Sequence, residues 1–368
     1  MPERSEIINF GAGPSALPSD VLEEAAKGIL NYKNTGIGLT ELSHRSKEFG
    51  TLTKHLESLI REQLDIPSNF HILFTQGGGS SQFSAVVLNL LARHRLRFPD
   101  LPDDERVMDY VITGSWSKKG SEEAKRLGGA KVNVVVDGRT YSKTGKAFDN
   151  IPPHDKWAFS PNPAFVYYCE NETVDGVQFS HDPKSPQSFP YDLLKDVPLV
   201  ADYSSSFMSR PIPRLKDHAL IYAGAQKNIG PSGLTILIVR DDLIVDTDAA
   251  VKLGAAPVPI TMSYKILADS GSLYNTPPMF SMYVSDLVLE RIKNSGGLER
   301  LEEINGQKAK ILYEVLDEGE KKGLVKIKVQ PGSRSWMNAT FEVIGEGKEQ
   351  AFLQGAEARG FKQLKGHR

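Results

Sequence analysis

The sequence predicts an α/β protein, with a mainly parallel sheet covered by helices on both faces and a smaller α+β domain beyond it. Two observations carry this. Through most of the chain, short apolar runs of strand length alternate with amphipathic helical stretches, the pattern of strands joined by crossover helices. After a long helical stretch at residues 279–293, Asn294-Ser295-Gly296-Gly297 breaks the pattern, as a helix end followed by a hinge does. At 368 residues the chain has room for two or three domains.

Taken in order, Leu17-Pro18-Ser19-Asp20 opens a helix over residues 21–29, with Ser19 or Asp20 as its cap. Over residues 49–63, Leu52, Leu56, Leu59 and Ile60 recur at spacings of three and four, which predicts a second helix. Phe70–Thr75 is an apolar run bounded by Asn69 and Gln76-Gly77, and reads as a strand. Phe83, Val86, Val87, Leu90 and Leu91 then form one buried helix face. A strand at 109–113 leads into a helix through Lys125. Further strands are expected at 131–136, 164–168, 199–201, 221–223 and 234–239. Past the glycine pair come a helix (298–318), strands at 325–329 and 337–343, and a last helix.

Composition excludes several classes. With 44 Lys+Arg against 46 Asp+Glu, the net charge of −2 leaves no basic footprint for nucleic acid or a membrane surface. The single cysteine, Cys169, excludes an intrachain disulfide and a multi-cysteine metal site, and fits a reducing compartment. The first ten residues lack an apolar core of the signal-peptide kind. The most apolar windows fall far short of the roughly 18 residues that a membrane span needs. The expectation is a cytoplasmic protein with no nucleic-acid, membrane or metal partner.

Three segments carry chemistry. Gln76-Gly77-Gly78-Gly79-Ser80-Ser81-Gln82 lies between a strand and a helix, where converging N–H groups and the helix dipole suit a phosphate. It has neither the Lys-Ser/Thr of a P-loop nor G-x-G-x-x-G spacing, and a plain tight turn is the alternative. Asp202 directly follows a buried strand, at the carboxyl edge where open α/β sheets bind ligands. Burying a carboxylate costs several kcal/mol unless a cation or donors meet it, and a structural pair or helix cap is the competing reading. Lys227 follows the next apolar strand among small residues, in Gly224-Ala225-Gln226-Lys227-Asn228. A lone lysine is ordinarily a solvated surface group. Loop, aspartate and lysine at one sheet edge are nevertheless the three contacts that pyridoxal 5′-phosphate requires: a phosphate cradle, a carboxylate that keeps the pyridine nitrogen protonated, and an amine for the Schiff base. Trp116, just past a strand, can stack on the ring face, with ordinary core packing as the alternative.

At this point the chain resembles the phosphoserine aminotransferase family, among the class V, fold-type I pyridoxal-phosphate enzymes. The resemblance rests on Asn9-Phe10-Gly11-Ala12-Gly13-Pro14, Ser43-His44-Arg45-Ser46-Lys47-Glu48-Phe49, Gln76-Gly77-Gly78-Gly79, Cys169-Glu170-Asn171-Glu172-Thr173, Ala201-Asp202, Gly224-Ala225-Gln226-Lys227-Asn228 and Leu273-Tyr274-Asn275-Thr276-Pro277-Pro278. It implies a three-layer α/β/α large domain with a mainly parallel, mixed sheet over 18–293, and a small α+β domain from 1–17 with 294–368.

By the same resemblance, Lys227 forms the Schiff base and shuttles the proton, and Asp202 pairs with the pyridinium. Trp116 stacks on the ring and Thr173 bonds its phenolic oxygen. Gly79, Ser80, Ser204 and Gln226 hold the phosphate, completed by Asn275 and Thr276 of a second subunit, so a homodimer is implied. His44 and Arg45, with Ala12, His367 and Arg368, fall to the substrate, since a dianionic end calls for charge-assisted donors. The substrates implied are L-glutamate and 3-phosphohydroxypyruvate. The family pattern continues past Gly366-His367-Arg368 with a carboxylate-binding arginine, a strand and a helix, so an incomplete small domain with exposed apolar surface is expected. The alternatives are a non-catalytic cofactor-binding dimer partner, or another fold-type I enzyme such as a desulfurase, which would need a reactive cysteine on a mobile loop.

Overall fold

The structure, a computed structural model, describes residues 2–143, 145–194 and 196–366. Seven strands form its main sheet: β1 (Phe70–Thr75), β2 (Val107–Ile112), β3 (Lys131–Asp137), β4 (Val166–Cys169), β5 (Leu199–Asp202), β6 (Leu220–Gly224) and β7 (Thr235–Arg240). Their spatial order is β1-β7-β6-β5-β4-β2-β3. Only β7 runs antiparallel to its neighbours; the other pairings are parallel.

The apolar runs are continuous because both faces of the sheet are buried. Along β7, Ile236 and Ile238 join one core, while Leu237 and Val239 join the other, as the two-residue repeat of a strand requires. The helices α1 (Ser19–Leu30), α2 (Lys47–Gln63), α3 (Gly78–Arg97), α4 (Ser115–Leu127), α5 (Met279–Asn294) and α6 (Gly297–Lys321) surround it. Phe49, Leu52 and Leu56 of α2 pack with Met282 and Leu289 of α5 in the first core. Phe83, Val86 and Leu90 of α3 and Ala124 of α4 belong to the second. Each of the Val, Leu, Met and Phe side chains among these contributes about 1.5–3 kcal/mol by leaving water. The three-layer expectation holds.

Several boundaries differ from expectation. Neither Ser19 nor Asp20 caps α1: Pro18 holds the cap position without a side-chain bond, and Asp20 accepts a hydrogen bond from Arg291 Nε at 2.9 Å. Helix α3 begins at Gly78, so the glycine loop is its first turn. Its buried surface includes the polar Gln82, Asn89, Arg93 and His94, which is why apolar spacing revealed only its middle. The strand expected over 337–343 is only Phe341–Val343. Upstream, the Trp336 N–H donates to Gln178 Oε1 at 2.8 Å and Ser335 Oγ to Asn171 Oδ1 at 2.5 Å, partners that no strand would offer. Cys169 closes β4, and the strand expected over 325–329 ends at Ile327.

The two ends of the chain meet. Ile8 and Asn9 pair in parallel with Phe361 and Lys362, beside the antiparallel pair Val325–Ile327 and Phe341–Val343 and a helix at Lys348–Glu357. Apolar side chains stand exposed here, among them Ile8, Leu324, Ile344 and Phe352. Among the described residues, no helix is long and apolar enough to cross a membrane.

Candidate active site

Register brings the three chemical segments to one edge. Asp202 lies opposite Tyr222 across β5 and β6. Gly224, at the end of β6, lies opposite Thr235, which lies opposite Thr75 at the end of β1. The chains leaving β1, β5 and β6 therefore emerge side by side.

After β1, Gly77 takes a φ of 96°, open to glycine at little cost. A Cβ there would also fall 2.0 Å from Ser81 Oγ. The Gly78 N–H donates to Thr235 Oγ1 at 2.8 Å. The next N–H groups, of Gly79 and Ser80, sit in the first turn of α3, where no intrahelical acceptor exists. A Cβ on Gly79 would stand 3.5 Å from Asp202 Oδ2 and 3.8 Å from Ser204 Oγ. Loop, aspartate and serine thus face one space. Ser204 Oγ in turn accepts from the Gly224 N–H at 3.2 Å.

Asp202 is buried. Burial raises its carboxyl pKa, opposed by hydrogen bonds from Ser204 and Tyr222 and by the charge of Lys227; the Ser204 N–H donates to Oδ1 at 2.8 Å. The Tyr222 hydroxyl also bonds that of Tyr167 at 2.8 Å. Burial lowers the pKa of Lys227, with Asp202 pulling it back. The amino-terminal loop lies directly over this lysine. Gly13 has a φ of 147°, and a Cβ on it would meet Lys227 Cδ at 2.3 Å and Nζ at 2.9 Å. The Ser15 N–H donates to the Gln226 carbonyl at 3.0 Å, and Ser15 Oγ donates to the Lys227 carbonyl. Ala12 is exposed on that loop.

Trp116 is in the first turn of α4, and two carboxylates that sequence reasoning did not assign hold it there. Glu172, fully buried, accepts from the Trp116 N–H at Oε2 (2.8 Å) and from the Ser117 N–H at Oε1 (2.9 Å). Asp175 accepts from the Ser115 N–H at 2.6 Å and from Ser115 Oγ at 3.1 Å. Burial pushes Glu172 up to about 8, against the pull of the Ser117 and Trp116 donors. Thr173 is the neighbour of Glu172 in the turn joining Asn171–Glu172 to Val177–Gln178. The cap therefore ties Trp116 to Thr173. In the sequence, Glu172 stood within the motif Cys169–Thr173, with Asp175 three residues on and Gly176 beside it, but nothing there paired them with Trp116.

A second group lies beside the glycine loop. Thr276 Oγ1 is 3.1 Å from His44 Nδ1, and Gln76 Nε2 donates to the Thr276 carbonyl at 3.3 Å. Arg45 and Asn275 are exposed next to them in sequence. Among the described residues, no hydrogen bond joins this group to Asp202 or Lys227. His367 and Arg368 lie outside the described residues.

Known proteins share sequence and fold with the chain. The family described as Aminotransferase class-V matches residues 7–359. A phosphoserine aminotransferase of Pseudomonas aeruginosa (strain LESB58) is 41% identical over 361 residues, covering 98% of this chain and 90% of the relative. A solved phosphoserine aminotransferase, studied for radiation damage of its Schiff base, superposes with a TM-score of 0.85 at 38% identity, over 98% of this chain and 90% of the other. A pyridoxal-phosphate-bound phosphoserine aminotransferase from Trichomonas vaginalis gives a TM-score of 0.83 at 34% identity, over 98% and 92%.

Proposed function

Since the chain belongs to the class V aminotransferases, and within them to the phosphoserine aminotransferase family, we propose that it moves an amino group reversibly between L-glutamate and 3-phosphohydroxypyruvate. The products are 2-oxoglutarate and O-phospho-L-serine. The observation that supports this reading within the chain itself is the convergence of the Gly79 loop, buried Asp202 and Lys227 at one sheet edge.

These residues fit pyridoxal 5′-phosphate. Asp202 is a buried carboxylate whose own donors leave its pKa raised, so a cationic N–H beside it completes its environment. The Gly79 and Ser80 N–H groups, with Ser204 and Gln226, would hold the phosphate. Trp116 would lie against the ring, and Thr173 would bond the phenolic oxygen. When bound, the cofactor supplies an electron sink for the pair left as a substrate Cα–H bond breaks. Asp202 keeps the ring nitrogen protonated. Lys227 Nζ, its pKa lowered by burial, is more readily the neutral amine; it would hold the cofactor covalently and, once the substrate's amine had displaced it from that link, would be free to take the proton from the substrate Cα. The loop at Gly13 covers that amine on one side.

His44 and Arg45 would bind the dianionic end of the substrate beside Ala12, with His367 and Arg368 a second anion-binding pair. Asn275 and Thr276 would complete the phosphate site of the second subunit in a homodimer; both are exposed. A division into 18–293 and 1–17 with 294–368 is supported by the pairing of the chain ends, and a cytoplasmic setting by the single free thiol. The desulfurase reading loses ground: Cys169 is buried in β4 and burial holds its thiol well above the usual range, whereas a persulfide-forming cysteine must be an accessible thiolate.

Purified protein should carry the visible band of lysine-bound pyridoxal phosphate, absent in Lys227→Ala. L-Glutamate should bleach it and 3-phosphohydroxypyruvate restore it. No band in the intact protein overturns the cofactor assignment; a band that 3-phosphohydroxypyruvate fails to restore overturns the substrate.

A further inference from the structure

The turn that carries Thr173 is held from beyond α6. It joins the short antiparallel strands Asn171–Glu172 and Val177–Gln178, and residues 333–335 lie along the second of them. The Gln178 N–H donates to the Ser333 carbonyl at 3.0 Å, and the Ser335 N–H to the Gly176 carbonyl at 2.9 Å. Thr340 Oγ1 donates to the Asp175 carbonyl at 2.9 Å. Only glycine suits position 176, because its φ is 77° and a Cβ would stand 2.8 Å from the Asn338 carbonyl oxygen. Beside the turn, the Asn171 amide joins three segments. Its Nδ2 donates to Ser205 Oγ at 2.7 Å and to Asn338 Oδ1 at 2.9 Å, and its Oδ1 accepts from Ser335 Oγ at 2.5 Å. Ser205 Oγ donates back to the Asn171 carbonyl at 2.8 Å. Ser335 Oγ also accepts from the Met337 and Asn338 N–H groups, so its own proton goes to Asn171. Asn171, Ser205 and Ser335 are all buried.

A buried polar network whose members are all bonded fixes one arrangement of the segments it joins. Here those segments converge on the candidate site. Glu172, next to Asn171, caps the helix that bears Trp116. Ser205 follows Asp202 and Ser204 in sequence. Among the described residues, the Thr173 hydroxyl has no hydrogen-bond partner, whereas the side chains of Asn171, Glu172, Asp175 and Gln178 around it all have theirs. The turn is thus pinned on every side and leaves one polar group uncommitted. We propose that Ser335 and Asn171 are positioning residues for the transamination: they fix the turn at 173–176 so that the Thr173 hydroxyl is held for the phenolic oxygen of the cofactor. The proposal rests on the cofactor reading above and gives a task to residues 333–340, which that reading leaves unassigned.

A hydrogen bond donated to the phenolic oxygen stabilises its anionic form and so eases loss of the proton from the lysine-linked nitrogen beside it. The pH midpoint of the visible band in the holoenzyme therefore reports the Thr173 contact. In Thr173→Val the midpoint should rise by about one pH unit. Ser335→Ala, which strips Asn171 Oδ1 of its donor, should raise it by about half a unit, and Thr340→Val should give a smaller rise. Asn305→Ala is the control. It removes a buried hydrogen bond from α6 to the Ser209 carbonyl, 3.1 Å long, that does not reach the turn, so it should lower the melting temperature and leave the midpoint in place. A midpoint moved by Thr173→Val but by neither Ser335→Ala nor Thr340→Val overturns the positioning role and leaves the cofactor reading intact. An equal shift in Asn305→Ala overturns it too, since loosening the fold elsewhere would then suffice. A midpoint that Thr173→Val does not move overturns the assignment of Thr173, and the proposal with it.

Discussion

Helices α3 and α4 begin at the same sheet edge, and each presents free N–H groups there. The chain treats them in opposite ways. It fills the α4 terminus with its own carboxyl groups, those of Glu172 and Asp175, whereas at α3 the residues entering the helix are glycines, and the nearest carboxylate, Asp202, bonds Ser204 instead. Both ends carry the same dipole and the same orphan donors. A helix N-terminus is thus open to an external anion only where the chain withholds its own, and the two ends divide the labour. One is open for a phosphate; the other is closed to hold Trp116 still.

The largest effect should come from making the open end resemble the closed one. Gly79→Asp has room for its Cβ, but it puts a carboxylate among the free N–H groups and beside Asp202. Pyridoxal-phosphate affinity should fall about 100-fold or more, read by titration of the visible band, with little change in melting temperature.

Next is crowding the closed end. Gly114 has extended backbone, yet a Cβ there would come within 2.3 Å of Glu172 Cδ. Gly114→Ala should cost about 2–4 kcal/mol by displacing a buried carboxylate, measured by denaturant unfolding.

Glu172→Gln is milder, because the amide keeps one acceptor but turns an N–H toward a backbone donor. A loss of about 1–2 kcal/mol is expected near neutral pH, with weaker quenching of Trp116 fluorescence by the cofactor. The pH dependence separates charge from shape. A carboxyl raised to about 8 in the fold holds a proton that the unfolded chain releases above its ordinary value of about 4.3. Its stabilising contribution is full below that value and is lost as pH rises toward 8. The wild type should therefore lose stability relative to Glu172→Gln between pH 5 and pH 8. A parallel pair of curves would show that the helix N–H groups keep Glu172 ionised throughout.

Ser115→Ala should matter least. It removes one of two hydrogen bonds to Asp175, for a loss of about 0.5–1 kcal/mol in unfolding free energy.

The open end was legible in the sequence and the closed one was not. Gly77 to Gly79, Asp202 and Lys227 each follow an apolar strand directly, so strand ends alone aligned them. Glu172 meets the Ser117 N–H from 55 residues away, and no local pattern reports such a contact. His44 and Thr276 meet across 232 positions, and the loop at Gly13 crosses nearly the whole large sheet in sequence to lie on Lys227. Where the reading of elements failed, as at the start of α3 and over 337–340, hydrogen bonds to distant partners had overridden local periodicity.

By itself, the sequence determined the fold class, the alternation of strands and helices, and the residue types that a phosphorylated pyridine cofactor needs. These follow from side-chain periodicity and from glycine's conformational range, which act over a few residues. Tertiary structure alone decided which helix end is capped by the chain's own carboxyl groups, and which lies instead beside the buried Asp202 and Ser204. Those outcomes depend on strand register and on donors and acceptors that become neighbours only after the chain has folded, when water no longer supplies the missing bonds.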